Sequence, residues 1–138
     1  MVAPVRGIPV LTMGDDVCAI VSASLNTLVW PDGGVSVWGD DVIVIAGKII
    51  AKAQGRFTRR DELMAERFEE FDSRNLLMFR NVPRRMALYR PEHPDEEAAR
   101  IRKGLAARFG GRPGVIISGS ESERSRGRGR RDVALGSA

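Results

Sequence analysis

The sequence predicts an α+β fold of mixed α/β character, because strand-length apolar runs alternate along it with segments of helical period. Two runs, Val42–Ala46 and Val115–Ile117, lack polar residues and predict strands covered on both faces. Two segments, near residues 17–28 and 94–109, carry apolar residues three and four positions apart and predict helices. At 138 residues the chain has the size of one domain and can bury a hydrophobic core.

The first half opens with residues 7–11, which predict a short strand or loop. Asp15 or Asp16 is then suited to cap a helix, since a short acidic side chain accepts hydrogen bonds from the first helical N–H groups. The apolar positions of this helix are Val17, Ile20, Val21, Leu25 and Leu28. Residues 31–34 and 39–40 predict turns. Further along, residues 61–71 mix charges with Leu63, Met64, Phe68 and Phe71, a pattern typical of an amphipathic helix.

The second half begins with residues 72–85, which have no clear period and receive no assignment. Pro94 is tolerated in a first helical turn, and the three acidic residues after it suit the positive end of the helix dipole. Ala98, Ile101, Leu105 and Phe109 would form the buried face of this helix. The Gly110-Gly111 pair predicts its end.

Composition excludes several classes of protein. No apolar run reaches the roughly 18 residues needed to span a bilayer, and the first residues lack the apolar centre of a signal peptide. The single cysteine, Cys18, excludes an internal disulfide, and the single histidine, His93, excludes a Cys/His zinc cluster. We expect Cys18 in the core, His93 at the surface, and a cytoplasmic protein.

The net charge of +4 gives little support to a nucleic-acid surface. Half of this net positive charge comes from residues 121–132, which contain five arginines and three acidic residues. Arg124, Arg126, Arg128 and Arg130 alternate, so a strand would crowd them on one face, and repulsion favours a solvated segment instead. No aromatic residue interleaves to stack on bases.

The segment after the first apolar run is the most informative part of the chain. Val42–Ile45 leads directly into Ile49–Arg56, which we interpret as a turn presenting Lys48 and Lys52 four residues apart. Lysine is a compact cation with three rotatable donors, so the pair suits an anion. The alternative is that both lysines are solvated residues flanking a strand.

Several short motifs, in their order and spacing, resemble the coenzyme F420-0:L-glutamate ligase (F420-0 gamma-glutamyl ligase) family. They are Gly14-Asp15-Asp16, Lys52-Ala53-Gln54-Gly55-Arg56, Gly114-Val115-Ile116-Ile117-Ser118 and the closing run Asp132–Ala138. The resemblance covers residues 7–56 and 86–138. Members are GTP- and metal-dependent ligases that activate the terminal carboxylate of F420-0 as an acyl phosphate, which L-glutamate then attacks. The resemblance implies this fold, GTP, Mg²⁺ or Mn²⁺, F420-0, L-glutamate, no membrane and a homodimer.

By position, the resemblance assigns nucleotide contacts to the opening loop, to the segment after the first strand and to one asparagine. These residues are Ile8, Pro9, Val10, Leu11, Gly47, Lys48, Lys52 and Asn81. Gly55 would allow a backbone conformation or an approach that a side chain would block. No catalytic residue is nominated.

The resemblance places two metal-binding aspartates of the family at positions where this chain has other residues. These positions are Met78 and Gly119, and only the hydroxyl of Ser120 remains as a weak metal ligand. The chain is also shorter than expected between residues 56 and 75 and stops before the family's C-terminal region. Since metal neutralisation supplies several kcal/mol to phosphoryl transfer, we expect an incomplete ligase-like protein with weak or absent activity.

Four segments follow from this comparison: a ligase-like N-terminal segment (1–58), a shortened bridge (59–85), a helix–strand segment (86–120) and an arginine-rich tail (121–138). Three functional hypotheses stay open. The first is a ligase relative that retains part of a GTP site. The second is a non-catalytic nucleotide-binding or interaction module that pairs with a complete homologue through Val42–Ile50. The third is a nucleic-acid binder that uses the arginine tail.

Overall fold

A computed structural model describes residues 1–34, 40–59, 61–62, 76–77, 82–83, 85–121 and 131–138. Its elements, in chain order, are α1 (Val17–Leu25), β1 (Val42–Ala46), α2 (Gly47–Ala53), β2 (Phe57–Arg59), β3 (Leu76–Leu77), β4 (Met86–Tyr89), α3 (Pro94–Phe109), β5 (Gly114–Glu121) and β6 (Arg131–Ser137). The predicted α+β class is confirmed. Most of the amphipathic helix predicted at 61–71 and most of the arginine-rich stretch lie outside the described residues.

One three-stranded sheet has the order β1-β5-β6. β1 and β5 run parallel, with Val42 opposite Gly114 and Ala46 opposite Ser118, whereas β5 and β6 run antiparallel. A second sheet, of order β2-β4-β3, is antiparallel. Within the described residues, no helix is both long and apolar enough to cross a membrane.

The main core lies between the first sheet and the helices α1 and α3. Its members include Val17, Ile45, Ile101 and Ile117, all almost fully buried. Asp16 caps α1 by accepting a hydrogen bond from the Ala19 N–H at 3.1 Å, as one of the two predicted candidates. α3 begins at Pro94, carries its acidic residues in the first turn and ends at Phe109, directly before Gly110, as predicted.

The prediction that β1 is covered on both faces is wrong. Burial alternates along this strand: Ile43 and Ile45 are buried, whereas Val42 and Val44 are 59% and 62% exposed. A continuous apolar run does not reveal whether one or both faces will be covered, because that depends on which elements pack against the sheet. Here α1 and α3 join the cluster that buries Ile43 and Ile45.

The segment interpreted as a lysine-bearing turn is instead mostly helical. α2 starts at Gly47, directly after β1, and the turn follows only at Gln54 and Gly55. Ile50 and Ala51, both fully buried, fix this helix against the protein interior. The apolar pair in its middle therefore belongs to a buried helix face, which a seven-residue window could not distinguish from a strand end.

The closing run, which received no secondary-structure prediction, forms β6. The strand is anchored to the start of α3, where the Ser137 N–H donates to Asp95 Oδ1 at 2.9 Å. Ala138 continues the pairing through two hydrogen bonds with Val115. A β-bulge interrupts β6, because Ile117 pairs with Gly136 while Ser118 pairs with Ala134. Leu135 is thus the extra residue of the bulge.

Candidate functional site

Lys52 is the most unusual charged residue among those described. It lies in the last turn of α2 and is only 7% exposed. Lysine is almost never this buried unless it is paired. Among the residues that the structure describes, no carboxylate forms an ion pair with it. Burial of a charge without a counter-charge is unfavourable, so the environment of Lys52 calls for an explanation.

Lys48 lies one helical turn before Lys52. The spacing of four residues puts both on the same side of α2, and Lys48 is half-buried. Gly47, just before it, is packed too closely to carry a side chain. An added Cβ would lie 2.9 Å from Leu135 Cδ1 and 3.1 Å from the Ser118 carbonyl oxygen.

The opening loop runs beside the C-terminal end of α2. The Gly14 N–H donates to the Ala53 carbonyl at 2.9 Å. Gly55 has a φ of +68°, and a Cβ there would lie 2.4 Å from Met13 Sδ. The prediction that Gly55 permits a conformation and an approach closed to other residues is confirmed. Two segments that the sequence assigned to nucleotide binding are thereby brought together.

The four predicted residues of the opening loop have different environments. Leu11 is buried in the main core, and Ile8 packs partly against it. Pro9 is exposed, and Val10 is 80% exposed. Only the exposed pair, together with the exposed Met13, offers side-chain surface to a ligand. Leu11 holds the loop on the core.

The turn after α2 is clamped to the segment before α3. Gln54 forms two hydrogen bonds with the backbone of Glu92: its Nε2 donates to the carbonyl at 3.1 Å, and its Oε1 accepts from the N–H at 2.9 Å. Arg56 forms an ion pair with the Glu92 carboxylate, donates to the Arg90 carbonyl at 3.2 Å and lies 5.5 Å from the Tyr89 ring centroid. These contacts fix the end of α2 next to Lys52.

Sequence reasoning missed this clamp. Gln54 and Arg56 flank the recognised Gly55, but their partners lie more than thirty residues further along the chain. Nothing local indicates that pairing. A glutamine beside a glycine in a turn is ordinary, so no sequence signal could have identified it.

Of the positions that the resemblance assigns to metal, the structure describes the packing around Gly119. Gly119 is buried, and a Cβ there would lie 2.8–3.0 Å from side-chain atoms of Leu135. Ser120 pairs with Asp132 in the strand register. Met78 and Asn81 lie outside the described residues. Within the described part of the chain, no three His, Cys, Asp or Glu residues are grouped closely enough to hold a metal ion.

A groove lies between α1 and α3. This open groove of about 430 Å³ is lined by Asp16, Cys18, Gly104 and Arg108, among others. Cys18 is partly buried and packs against the core, as expected, and a Cβ on Gly104 would lie 2.3 Å from its Sγ. The groove contains none of the residues assigned to nucleotide or metal. His93 is exposed, as predicted.

Comparison with known proteins identifies the family. The model of the F420-0:Gamma-glutamyl ligase family matches residues 7–78 and 73–138. One similar protein is the Coenzyme F420:L-glutamate ligase of Halorubrum lacusprofundi, with 28% identity over 176 residues. That alignment covers 96% of this chain and 64% of the relative. The aligned stretch is longer than this chain of 138 residues, so the relative carries sequence that the chain lacks. The two family matches together take in nearly the whole sequence, and the chain therefore belongs to the F420-0:gamma-glutamyl ligase family.

Proposed function

We propose that this chain binds GTP through Lys52 and, by itself, adds L-glutamate to coenzyme F420-0 weakly or not at all. The observation that carries the proposal is the almost complete burial of Lys52 without a carboxylate partner among the described residues. A triphosphate would supply the missing negative charge. Family membership makes GTP the nucleotide to test, and L-glutamate and F420-0 the substrates.

The surroundings of Lys52 support a nucleotide rather than a small anion. Gly14, just after the opening loop, is hydrogen-bonded to Ala53 at the end of α2, and the exposed side chain of Met13 lies against Gly55. A charged group next to exposed apolar surface suits a ligand with a phosphate end and an apolar ring. Lys48, on the same side of α2, would add a second positive charge.

Calorimetric titration of GTP into the purified chain tests the proposal. The informative variant is Lys52→Met, because methionine keeps an unbranched apolar stem and removes the charge. Lys103→Met is the matched control, since Lys103 is exposed on α3. We expect Lys52→Met to lose at least tenfold in affinity, about 1.4 kcal/mol, and the control to bind as the wild type does. A wild type that does not bind GTP, or an unaffected Lys52→Met, would refute the proposal.

The ligase part needs its own assay. We expect incubation with F420-0, L-glutamate, GTP and Mn²⁺ to give little or no glutamylated product by mass spectrometry. The reason is that Gly119 has no carboxylate with which to hold a metal ion. Without the metal, the negative charge of the phosphoryl transfer would not be neutralised. Turnover comparable with a complete ligase run in parallel would contradict this part and leave the binding proposal to its own test.

A second candidate function is pairing with another copy or with a complete homologue. The observation that favours it is the exposed apolar face of β1, an edge strand that presents Val42 and Val44. We expect Val44→Lys to shift the mass measured by light scattering from dimer to monomer, and exposed Val29→Lys to leave it unchanged. A monomeric wild type that also fails to bind a complete homologue would exclude this candidate.

A further inference from the structure

Three elements converge where the family keeps a metal-binding carboxylate. β1 leads directly into Gly47, the first residue of α2, β5 passes through Gly119, and β6 contributes Leu135 from its bulge. A bulge re-aims the side chain of the extra residue. The result is that Leu135 points at both glycines, and its Cδ1 lies within 2.9 Å of the Cβ position of each.

Leu135 fills the space that a side chain at residue 119 would need. A Cβ on Gly119 would lie 2.8, 2.9 and 3.0 Å from Leu135 Cδ1, Cγ and Cδ2, distances that real Cβ contacts essentially never reach. A Cβ on Gly47 would lie 2.9 Å from the same Leu135 Cδ1 and 3.1 Å from the Ser118 carbonyl oxygen. An aspartate at position 119 could therefore be accommodated only if Leu135 moved away.

The chemistry of this position is the reverse of what a hard dication requires. Mg²⁺ and Mn²⁺ are bound by oxygen ligands, whereas the groups facing Gly119 are the methyl and methine carbons of a leucine. Placing a dication against hydrocarbon without new ligands would cost a large desolvation free energy. Among the described residues, the buried positive charge is Lys52, which the protein itself supplies.

We infer that the chain binds the free triphosphate rather than its metal complex, and that Leu135 closes the position of the metal. This inference rests on the proposed nucleotide site at Lys52. In this inference the ligand is free GTP, whereas the family uses GTP together with a metal ion. The ammonium group of Lys52 would hold the phosphates in place of the dication. Divalent metal therefore does not strengthen binding, and a metal that complexes the free triphosphate competes with the protein for it.

The first experiment is calorimetry of GTP binding to the wild-type chain in Mn²⁺ and, separately, in EDTA. We expect a Kd in Mn²⁺ that is equal to, or weaker than, the Kd in EDTA. A Kd more than threefold tighter in Mn²⁺ would overturn the inference. Absence of binding in both buffers would refute the nucleotide site at Lys52. Two further measurements test separately whether Leu135 closes the metal position at Gly119.

The second experiment measures Mn²⁺ binding directly, by the electron paramagnetic resonance signal of the free ion. We expect no saturable site up to millimolar Mn²⁺. The third is a double-mutant cycle of thermal midpoints with Gly119→Ala and Leu135→Ala. Gly119→Ala should lower Tm in the wild-type background and leave it unchanged once Leu135 has been shortened. A saturable Mn²⁺ site, or an equal Tm loss in both backgrounds, would overturn the inference.

Discussion

The close contact between β6 and α3 makes Gly136 the most sensitive backbone position described. A Cβ added at this residue would lie 2.4 Å from the carbonyl carbon of Pro94, 2.6 Å from its oxygen and 2.7 Å from the Asp95 nitrogen. All three are backbone atoms, so no rotamer change can relieve the overlap. Ordinary contact begins near 3.4 Å, and the strand and helix would have to separate by about 1 Å.

The cost of Gly136→Ala follows from two contributions. Overpacking of a well-packed site costs about 1–3 kcal/mol. The same separation would break the bond from the Ser137 N–H to the Asp95 carboxylate, and a hydrogen bond to a charged group contributes about 1.5–3 kcal/mol. We therefore expect a loss of roughly 2.5–6 kcal/mol, a large part of the ~5–15 kcal/mol that stabilises a typical domain.

Chemical denaturation followed by circular dichroism measures this loss, and thermal unfolding should show a Tm lower by roughly 10–20 °C. Gly114→Ala is the matched control, because it makes the same change in the same sheet. Its nearest neighbour would be Val42 Cγ2 at 3.3 Å, on an exposed side chain that can move. We expect the control to stay within about 0.5 kcal/mol of wild type. Equal stabilities of the two variants would refute the reasoning.

Three further outcomes follow from the described contacts. Gln54→Glu should cost about 1–2 kcal/mol at neutral pH in urea titrations, because a carboxylate cannot donate to the Glu92 carbonyl; the loss should shrink at pH 4 as the new carboxyl protonates. Ile101→Ala should cost about 2–5 kcal/mol by the same method, since the side chain is fully buried in the core. The hydrogen bond from Arg59 lowers the pKa of Asp61, so the pair stabilises the fold above the ordinary aspartate pKa and loses this as pH falls through the lowered value. Arg59→Ala should return that pKa towards its ordinary value in an NMR titration of the carboxyl group.

The helices of the main core were predictable because their signals are local. α3 has proline and acidic residues at its start, apolar residues at helical spacing and two glycines at its end. Each of these signals refers to the helix itself. α1 was similarly identified, and its cap, Asp16, lies within two residues of the helix start. In these segments local preference and tertiary packing agree.

The second sheet and β6 were not predicted, for a physical reason. β2 and β3 have three and two residues, too few to show a period of two. β6 contains Gly136 and a bulge, both of which interrupt alternation. Their pairing partners lie elsewhere in the chain, and a strand of this kind is defined by its neighbours rather than by its own residues.

The candidate site was predicted in part. Lys52 was identified from its motif, but the motif could not show that the residue is buried in a helix rather than presented by a turn. The resemblance assigned a family aspartate to the position where this sequence has Gly119. What replaces it was not visible, because Leu135 reaches that position through a bulge sixteen residues further along.

The packing at Gly119 favours folding, whereas the burial of Lys52 opposes it. This difference supports a binding role for Lys52. At Gly119 the bulge and Leu135 give close apolar packing, so that position is explained by folding alone. Lys52 is not explained in this way, since a buried ammonium without a carboxylate partner among the described residues opposes folding, and a methionine would pack as well. Lys52→Met should therefore raise the free energy of unfolding in the absence of ligand by about 1 kcal/mol while it removes GTP binding. A loss of stability together with unchanged binding would mean that Lys52 is structural, and the anion site would have to be sought elsewhere.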